Sequence, residues 1–417
     1  MNSNNVIELR KPVETTEDAL VSVLRRGAQE LLTRAIEEEA KTFLEAYAGL
    51  LDEKGLRQVV RNGHLPERSI QTGIGPIVVK VPRLRDRSGT GIKYASNLVP
   101  RYLRRTKNIE ELLPVLYLKG ISTGDFEEAL TSIVEDNAAG FSSTTITRLK
   151  QGWTSEYEVW RKQDLSKKRY VYFWVDGVYL QARMEEKQCI LVVIGADEFG
   201  NKEVVSVTDG YRESEQSWSE VLLDLKNRGL EIGAKLAVGD GALGFWKALR
   251  KIYPDTKQQR CWVHKTANIL NKLPKSLQAK AKQQIHDIWL NETKEGANKS
   301  FDFFIATYEA KYFNATECLA KDRDELLAFY DFPAEHWKHI RTTNPIESTF
   351  ATVKLRTAKT RGCLSRKSAF TMVFKLLESA QKRWRKLRGP NRVAEVIRGV
   401  GFVNGIAQPL NDKRRAA

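Results

Sequence analysis

The chain has little of what would suit a disulfide-stapled scaffold or a membrane protein. Its four cysteines, Cys189, Cys261, Cys318 and Cys363, show no repeated spacing, which argues against a disulfide framework. No apolar run approaches the roughly 20 residues a membrane-spanning helix needs, so no membrane partner is expected. The first residues, MNSNNVIELRKPVETTEDAL, lack the basic flank and apolar stretch of a secretion signal. A soluble, cytoplasmic protein is the expectation. There is no low-complexity tract and no internal repeat. Acidic residues are scarce toward one end: from Lys354 onward 17 Lys or Arg stand against three acids, a net +14 out of +16 for the chain. A concentrated cationic stretch gains free energy on a polyanion by releasing counterions, so nucleic acid is the natural partner. A merely solvated basic face is the alternative that charge alone leaves open.

What is present organises 417 residues into several domains. Residues from about Glu17 to Leu51 carry apolar positions at helical spacing, Leu20, Val23 and Leu24, then Leu31, Leu32, Ala35 and Ile36. RSIQTGIGPIVVKVPRLRDR then alternates around Gly73 and Gly75 as a hairpin would, with Pro76 and Pro82 keeping it at an edge or in an isolated ribbon. Between Asn108 and Thr154 three short polar-capped helices can be drawn. They suit a helix-turn-helix-like DNA reader with Thr144, Thr145, Thr147, Arg148 and Lys150 exposed on the last helix; an ordinary helical subdomain is the alternative.

The centre says more. RYVYFWVDGVYLQAR, QCILVVIGADE and NKEVVSVTDG read as three successive strands. EQSWSEVLLDLKNRGL is an amphipathic helix on Trp218, Val221, Leu222 and Leu225, ending at Gly229. AKLAVGDG is a buried strand, ALGFWKALRKIYP a helix and TKQQRCWVHK a short strand. Three strands, then helix, strand, helix, strand, is the order of an RNase H-like mixed sheet covered by helices. The expected fold is therefore multidomain α/β, with an RNase H-like catalytic core interrupted by an all-α insertion and preceded by a mostly helical DNA-binding region. The boundaries are 1–105 for the helical region with its hairpin, 106–165 for the helix-turn-helix-like region and 166–265 for the first part of the core. The insertion covers 266–341, the second part of the core with a basic helix 342–390, and the basic tail 391–417.

Asp176 follows the apolar run VYFWV and precedes Gly177, and Asp240 ends the strand LAVG. Groups at strand ends of such sheets converge on one crevice. Two acids brought together there repel, and hard oxygen donors favour Mg2+ or Mn2+. Glu347, opening a helix in TTNPIESTF, is the candidate third acid. Its other reading is a helix cap, with Asn344 as N-cap, Pro345 at N1 and Glu347 as return partner. Lys354 and Arg361 lie seven and fourteen residues further on, charges suited to a phosphate backbone. Two ions about 4 Å apart would activate a water or 3′-hydroxyl and stabilise the leaving oxygen at phosphorus. Asp197, Glu198 and Asp209 fall in turn-like segments and read as solvated turn formers.

The runs VDGVYL, GDGALGFWKAL, QRCWVHK, TTNPIESTFATVKLRT and KGISTGDFEEAL resemble the Mutator-type DDE transposases of bacterial insertion sequences, from about Asp18 to Val403. That resemblance implies metal ligands at Asp176, Asp240 and Glu347, and strand cleavage and transfer on double-stranded DNA. It implies recognition of terminal inverted repeats by the N-terminal region, besides target DNA, and a cytoplasmic, nucleoid-associated site of action. Synapsis of two ends makes a homodimer the expected assembly. A Cys-x-x-His element of the family is matched by Cys261 and His264. A structural zinc there lacks a second ligand pair at finger-like spacing. The expectation is instead that His264 contacts the scissile-strand phosphate and Trp262 stacks on a displaced base, with Trp262 and Cys261 as core residues the alternative. In the helix Ser368–Leu387, Phe370, Val373, Phe374 and Leu377 pack, leaving Lys375, Lys382, Arg383, Arg385 and Lys386 for DNA. A non-catalytic DNA-binding relative that only occupies element ends is the runner-up, and a structure-selective nuclease the third reading.

Overall fold

The computed structural model describes residues 19–107, 109, 116, 143–181, 187–241, 243–359 and 366–409. They divide into two compact units, Met1–Leu149 and Lys150–Ala417. In the first unit, helix α1 (Ala19–Ala46) lays Ile36 and Ala40 into a small core with Ile70, Ile77, Val79, Val81 and Val99. The expected hairpin forms between β2 (Arg68–Thr72) and β3 (Gly75–Val79). PRLRD does not extend it. As β4 (Pro82–Asp86) it pairs antiparallel with β1 (Val59–His64), a strand whose sequence hides it because only Val59 is buried. The three expected helices between 108 and 154 fall mostly outside the described residues, as does Arg361. Their last part is α2 (Ser143–Trp160), which carries Arg148 and Lys150.

The second unit is built on a five-stranded mixed sheet of order β7-β6-β5-β8-β9. Strands β5 (Tyr170–Gln181), β6 (Lys187–Asp197) and β7 (Lys202–Gly210) run antiparallel, while β8 (Leu236–Gly239) and β9 (Lys257–Arg260) lie parallel to β5. Cys189 to Ile194 of β6 are an unbroken buried run because helices cover both sheet faces, so neither set of side chains can be polar. Each such residue contributes about 1.5–3 kcal/mol of burial. On one face pack α3 (Glu215–Asn227) and α4 (Leu243–Ile252), where Trp218, Val221, Leu222 and Leu225 meet Phe173, Val175, Phe245 and Trp246. Ser214 caps α3 by accepting from Ser217 N at 3.1 Å, and Gly229, at φ +97°, turns the chain just beyond its end.

After β9 the chain is helical: α5 (Trp262–Leu270), α6 (Lys275–Leu290), α7 (Lys294–Ala320), α8 (Arg323–Leu327) and α9 (Trp337–Ile340). It then returns to the sheet through α10 (Asn344–Lys359), which packs on β5, and α11 (Arg366–Gln381), which packs on β7. On that face His336 is buried in the core and His339 is half-buried. His336 Nε2 donates to Gly389 O at 3.2 Å, so its Nδ1 accepts from the Tyr172 hydroxyl at 2.7 Å. Trp174 Nε1 donates to His339 O at 2.9 Å. The basic helix ends at Gln381, short of the expected Leu387, because the chain turns there: Arg383 N and Trp384 N bond back to Ala380 O and Gln381 O.

Candidate active site

The register of the parallel strands sets the site. Val175 pairs with Gly239, and Gly239 with Arg260, so the next residues of the three strands, Asp176, Asp240 and Cys261, stand in a row along one edge of the sheet. Within β5, side chains alternate: Phe173 and Val175 enter the core under α3 and α4, while Tyr172, Trp174 and Asp176 belong to the α10 face. Asp176 Oδ1 accepts from Gly177 N at 2.8 Å. Burial, reinforced by Asp240 and Glu347 and opposed by His264 and that N–H, pushes its carboxyl up to about 6. The backbone carbonyl of Asp240 is pinned by Trp246 Nε1 at 2.9 Å and Arg260 Nη1 at 3.0 Å.

Glu347 comes from the first turn of α10. The helix begins at Asn344 itself, and Thr343 O accepts from both Ile346 N and Glu347 N. The Thr343 hydroxyl donates to Glu347 Oε1 at 2.6 Å. Thr343, not Asn344, therefore occupies the cap position, and the Glu347 carboxylate faces the strand ends. Cys261 Sγ is 3.9 Å from Glu347 Oε1 and accepts from Thr343 N at 3.4 Å. His264, one turn into α5, places Nδ1 3.6 Å from Glu347 Oε1, too far for a hydrogen bond. That nitrogen is buried without a hydrogen-bond partner. The Cys261 sulfur beside it, then Asp240 and Asp176, push the imidazole up to about 9 against the effect of burial. Donor atoms of Cys261, His264 and Glu347 lie within 4.8 Å of one another, spacing that a shared metal ion could bridge.

The structure thus brings Asp176, Asp240, Glu347, Cys261 and His264 to one place. Trp262 is not at its surface. Its indole is 1 % exposed and donates to Leu326 O at 2.9 Å, so it is core and has no face to offer a base. Lys354, Lys382 and Arg383 are exposed, whereas Lys375 is held between Glu156 and Glu378 in ion pairs and does not belong with the DNA-facing cations. Asp197 is the turn former expected, accepting from Phe199 N and Asn201 N at 2.9 and 2.7 Å. Asp209 is bound by Arg366 at 2.8 Å. One acid escaped the sequence reading: Glu213, whose carboxyl burial, then Asp176 and Asp240, push up to about 7.

Three acids, a thiol and an imidazole thus converge beside the parallel strands of the sheet. Comparison with known proteins gives the family. Residues 3–387 match the family described as Transposase, Mutator family. The chain is 48 % identical over 301 residues to the transposase for insertion sequence element IST2 of Acidithiobacillus ferrooxidans, covering 70 % of this chain and all of that protein. It is 48 % identical over 298 residues to the transposase for insertion sequence element IS6120 of Mycolicibacterium smegmatis, covering 71 % and 92 % of the two chains. Against the transposase for insertion sequence element IS905 of Lactococcus lactis the identity is 31 % over 301 residues, covering 72 % and 74 %. The chain belongs to the Mutator family of insertion-sequence transposases. Such an enzyme acts on DNA, cleaving and rejoining its strands. No helix among the described residues is long and apolar enough to cross a membrane.

Proposed function

We propose that Asp176, Asp240 and Glu347 are the DDE triad of this transposase, on an RNase H-like core, and hold two divalent ions, Mg2+ or Mn2+. The observation that carries the reading is the register Val175–Gly239–Arg260, which delivers the two aspartates side by side beneath Glu347. The donors fit hard cations: carboxylate oxygens dominate, and burial, with Asp240 and Glu347 beside it, raises the Asp176 carboxyl. Bound there, the ions would supply charge neutralisation at phosphorus and a lowered pKa for the attacking water or 3′-hydroxyl. Around them the chain does the rest. Thr343 orients Glu347, Arg260 and Trp246 hold the Asp240 backbone, and His264, beside Cys261 and Glu347, offers its imidazole to the scissile phosphate. The residues between β9 and α10 form the insertion in this core, and residues 1–165 are the region that reads the terminal inverted repeats, working as a homodimer on paired ends.

Purified protein incubated with labelled element-end DNA, in Mg2+ or EDTA, tests this beside Asp176→Ala and Asp240→Ala. Metal-dependent nicking and joining that both variants lose while still binding DNA is the expected outcome. Binding without cleavage by the wild type, in Mg2+ or Mn2+, would establish a non-catalytic relative. Cleavage that survives both substitutions would place the active site elsewhere.

A further inference from the structure

Glu213 lies in the turn that leads into α3, directly before the capping residue Ser214. The cap fixes this turn through Ser214 Oγ and Ser217 N, so the glutamate is presented by a rigid element. Two glycines let it come close to β5. A Cβ on Gly177 would stand 2.5 Å from Glu213 Cδ and Oε1, so the carboxylate occupies the space that any other residue at 177 would fill. A Cβ on Gly244 would meet the Ser214 carbonyl carbon at 2.5 Å and Glu213 O at 2.6 Å, so the turn itself needs the second glycine.

Gly177 is also the residue whose N–H holds Asp176 Oδ1 at 2.8 Å. Both carboxylates are thus anchored on one residue, and standard bond lengths put their oxygens no more than about 8 Å apart. Asp176 reaches the site from the α10 face of the sheet and Glu213 from the α3 face. A divalent ion held by Asp176 would have a second carboxylate within that reach. The groups that face Glu213 are Asp176, Asp240, the Tyr179 hydroxyl and His264. Among the described residues, the two aspartates oppose its charge, and the hydroxyl and the imidazole ease it. A carboxylate brought this close to two others is costly to the fold unless a cation joins them.

We infer that Glu213 is a fourth carboxylate ligand of the metal site, completing the donor set on the side of Asp176 away from Glu347. This rests on the reading of Asp176 and Asp240 as ligands. It gives Gly177 a purpose that the triad alone does not: the glycine is the window through which the second face of the sheet reaches the ions.

The test is a calorimetric Mn2+ titration of the full chain without DNA, comparing wild type, Glu213→Gln, Asp240→Asn and the surface control Glu215→Gln. Thermal unfolding in EDTA is followed alongside. Glu213→Gln keeps the shape and a partner for Tyr179, and is expected to weaken Mn2+ binding about 10–100-fold at one site. Its melting temperature in EDTA should not fall, and the Glu215 control should match wild type. Glu213→Asp, which keeps the charge but withdraws it by one methylene, should also weaken Mn2+ binding. Wild-type affinity in Glu213→Gln, with binding lost in Asp240→Asn, overturns the fourth ligand and leaves the triad standing. A lower melting point in EDTA with unchanged Mn2+ binding makes Glu213 a structural partner of Tyr179 and overturns it too. A wild type that binds no Mn2+ sinks the triad reading along with it.

Discussion

Asp322 stands between two cations, and removing it probes how the helical residues after β9 support the site. Lys265 Nζ pairs with Asp322 Oδ2 and donates to Cys318 O, with the lysine side chain only 4 % exposed. Arg260 Nη2 reaches the same aspartate oxygen at 3.1 Å, while its Nη1 holds the Asp240 carbonyl. Asp322→Ala leaves a buried ammonium with one carbonyl to answer it. Breaking such a pair costs about 3–5 kcal/mol. In a unit of this size each kcal/mol shifts the melting temperature by about 2–4 °C, so a fall of about 6–20 °C is expected. Replacing both members, Asp322→Leu with Lys265→Met, should recover part of the loss, because the buried ammonium goes with its partner while Arg260 keeps only the Asp240 carbonyl. The pH dependence has a definite sign. Burial alone would raise the Asp322 carboxyl, but Lys265 and Arg260 outweigh it and hold it below the usual range. Its stabilisation is therefore complete above the unfolded value near about 4 and is lost as pH falls through the lower folded value. Thermal unfolding in EDTA at pH 7, and again in acid, measures both. A loss below about 1 kcal/mol, or a double variant less stable than the single one, would refute the reasoning.

His339 is pushed down to about 4, by burial first and Lys202 next, with His336, Arg388 and Lys338 adding to it. The unfolded chain then takes up a proton before the folded one does. Stability should fall by about 1–2 kcal/mol between pH 6.5 and 4, after allowance for partial exposure, and His339→Gln should flatten that slope; an unaltered slope counts against it. Trp262→Phe should cost about 0.5–1.5 kcal/mol through its lost hydrogen bond to Leu326 O, which keeps Gln259 Nε2 at 3.1 Å, with DNA affinity in gel shifts unchanged. Weaker DNA binding at an unchanged melting temperature would instead restore a base-stacking role. Neutralising the exposed Lys382 and Arg383 to Gln should reduce the log-affinity against log-salt slope by about 1 for each phosphate no longer neutralised. An unchanged slope removes them from the DNA surface.

How far the sequence could be read follows from how local each signal is. The helix on Trp218, Val221, Leu222 and Leu225 was legible because its pattern and its Ser214 and Gly229 ends lie within one short segment. The three antiparallel strands were legible for the same reason. β1 was not, since VVRNGH buries one residue and lacks alternation. Lys375 looked like a DNA-facing cation because its partner Glu156 lies 219 residues away. The Lys265–Asp322–Arg260 network was invisible for the same reason: its members, on α5, just before α8 and on β9, are ordinary charged residues until the fold brings them together.

The acids show the same divide at the site itself. Asp176 follows an apolar run within β5 and Asp240 comes just after the apolar strand β8, and that context marks them without any knowledge of the fold. Glu347 had two local readings, cap or ligand. The tie is broken only by Thr343, which takes the cap position and, with its hydroxyl, turns the carboxylate toward Cys261 and His264. Glu213 gives no local signal, since in TDGYRESE it resembles any solvated turn acid. The sign of it lay elsewhere, in the glycine after Asp176. A glycine inside an otherwise bulky, buried strand means that something approaches the backbone there, and the approaching group is the fourth carboxylate. An active-site acid can therefore be announced by the residue that makes room for it rather than by its own surroundings.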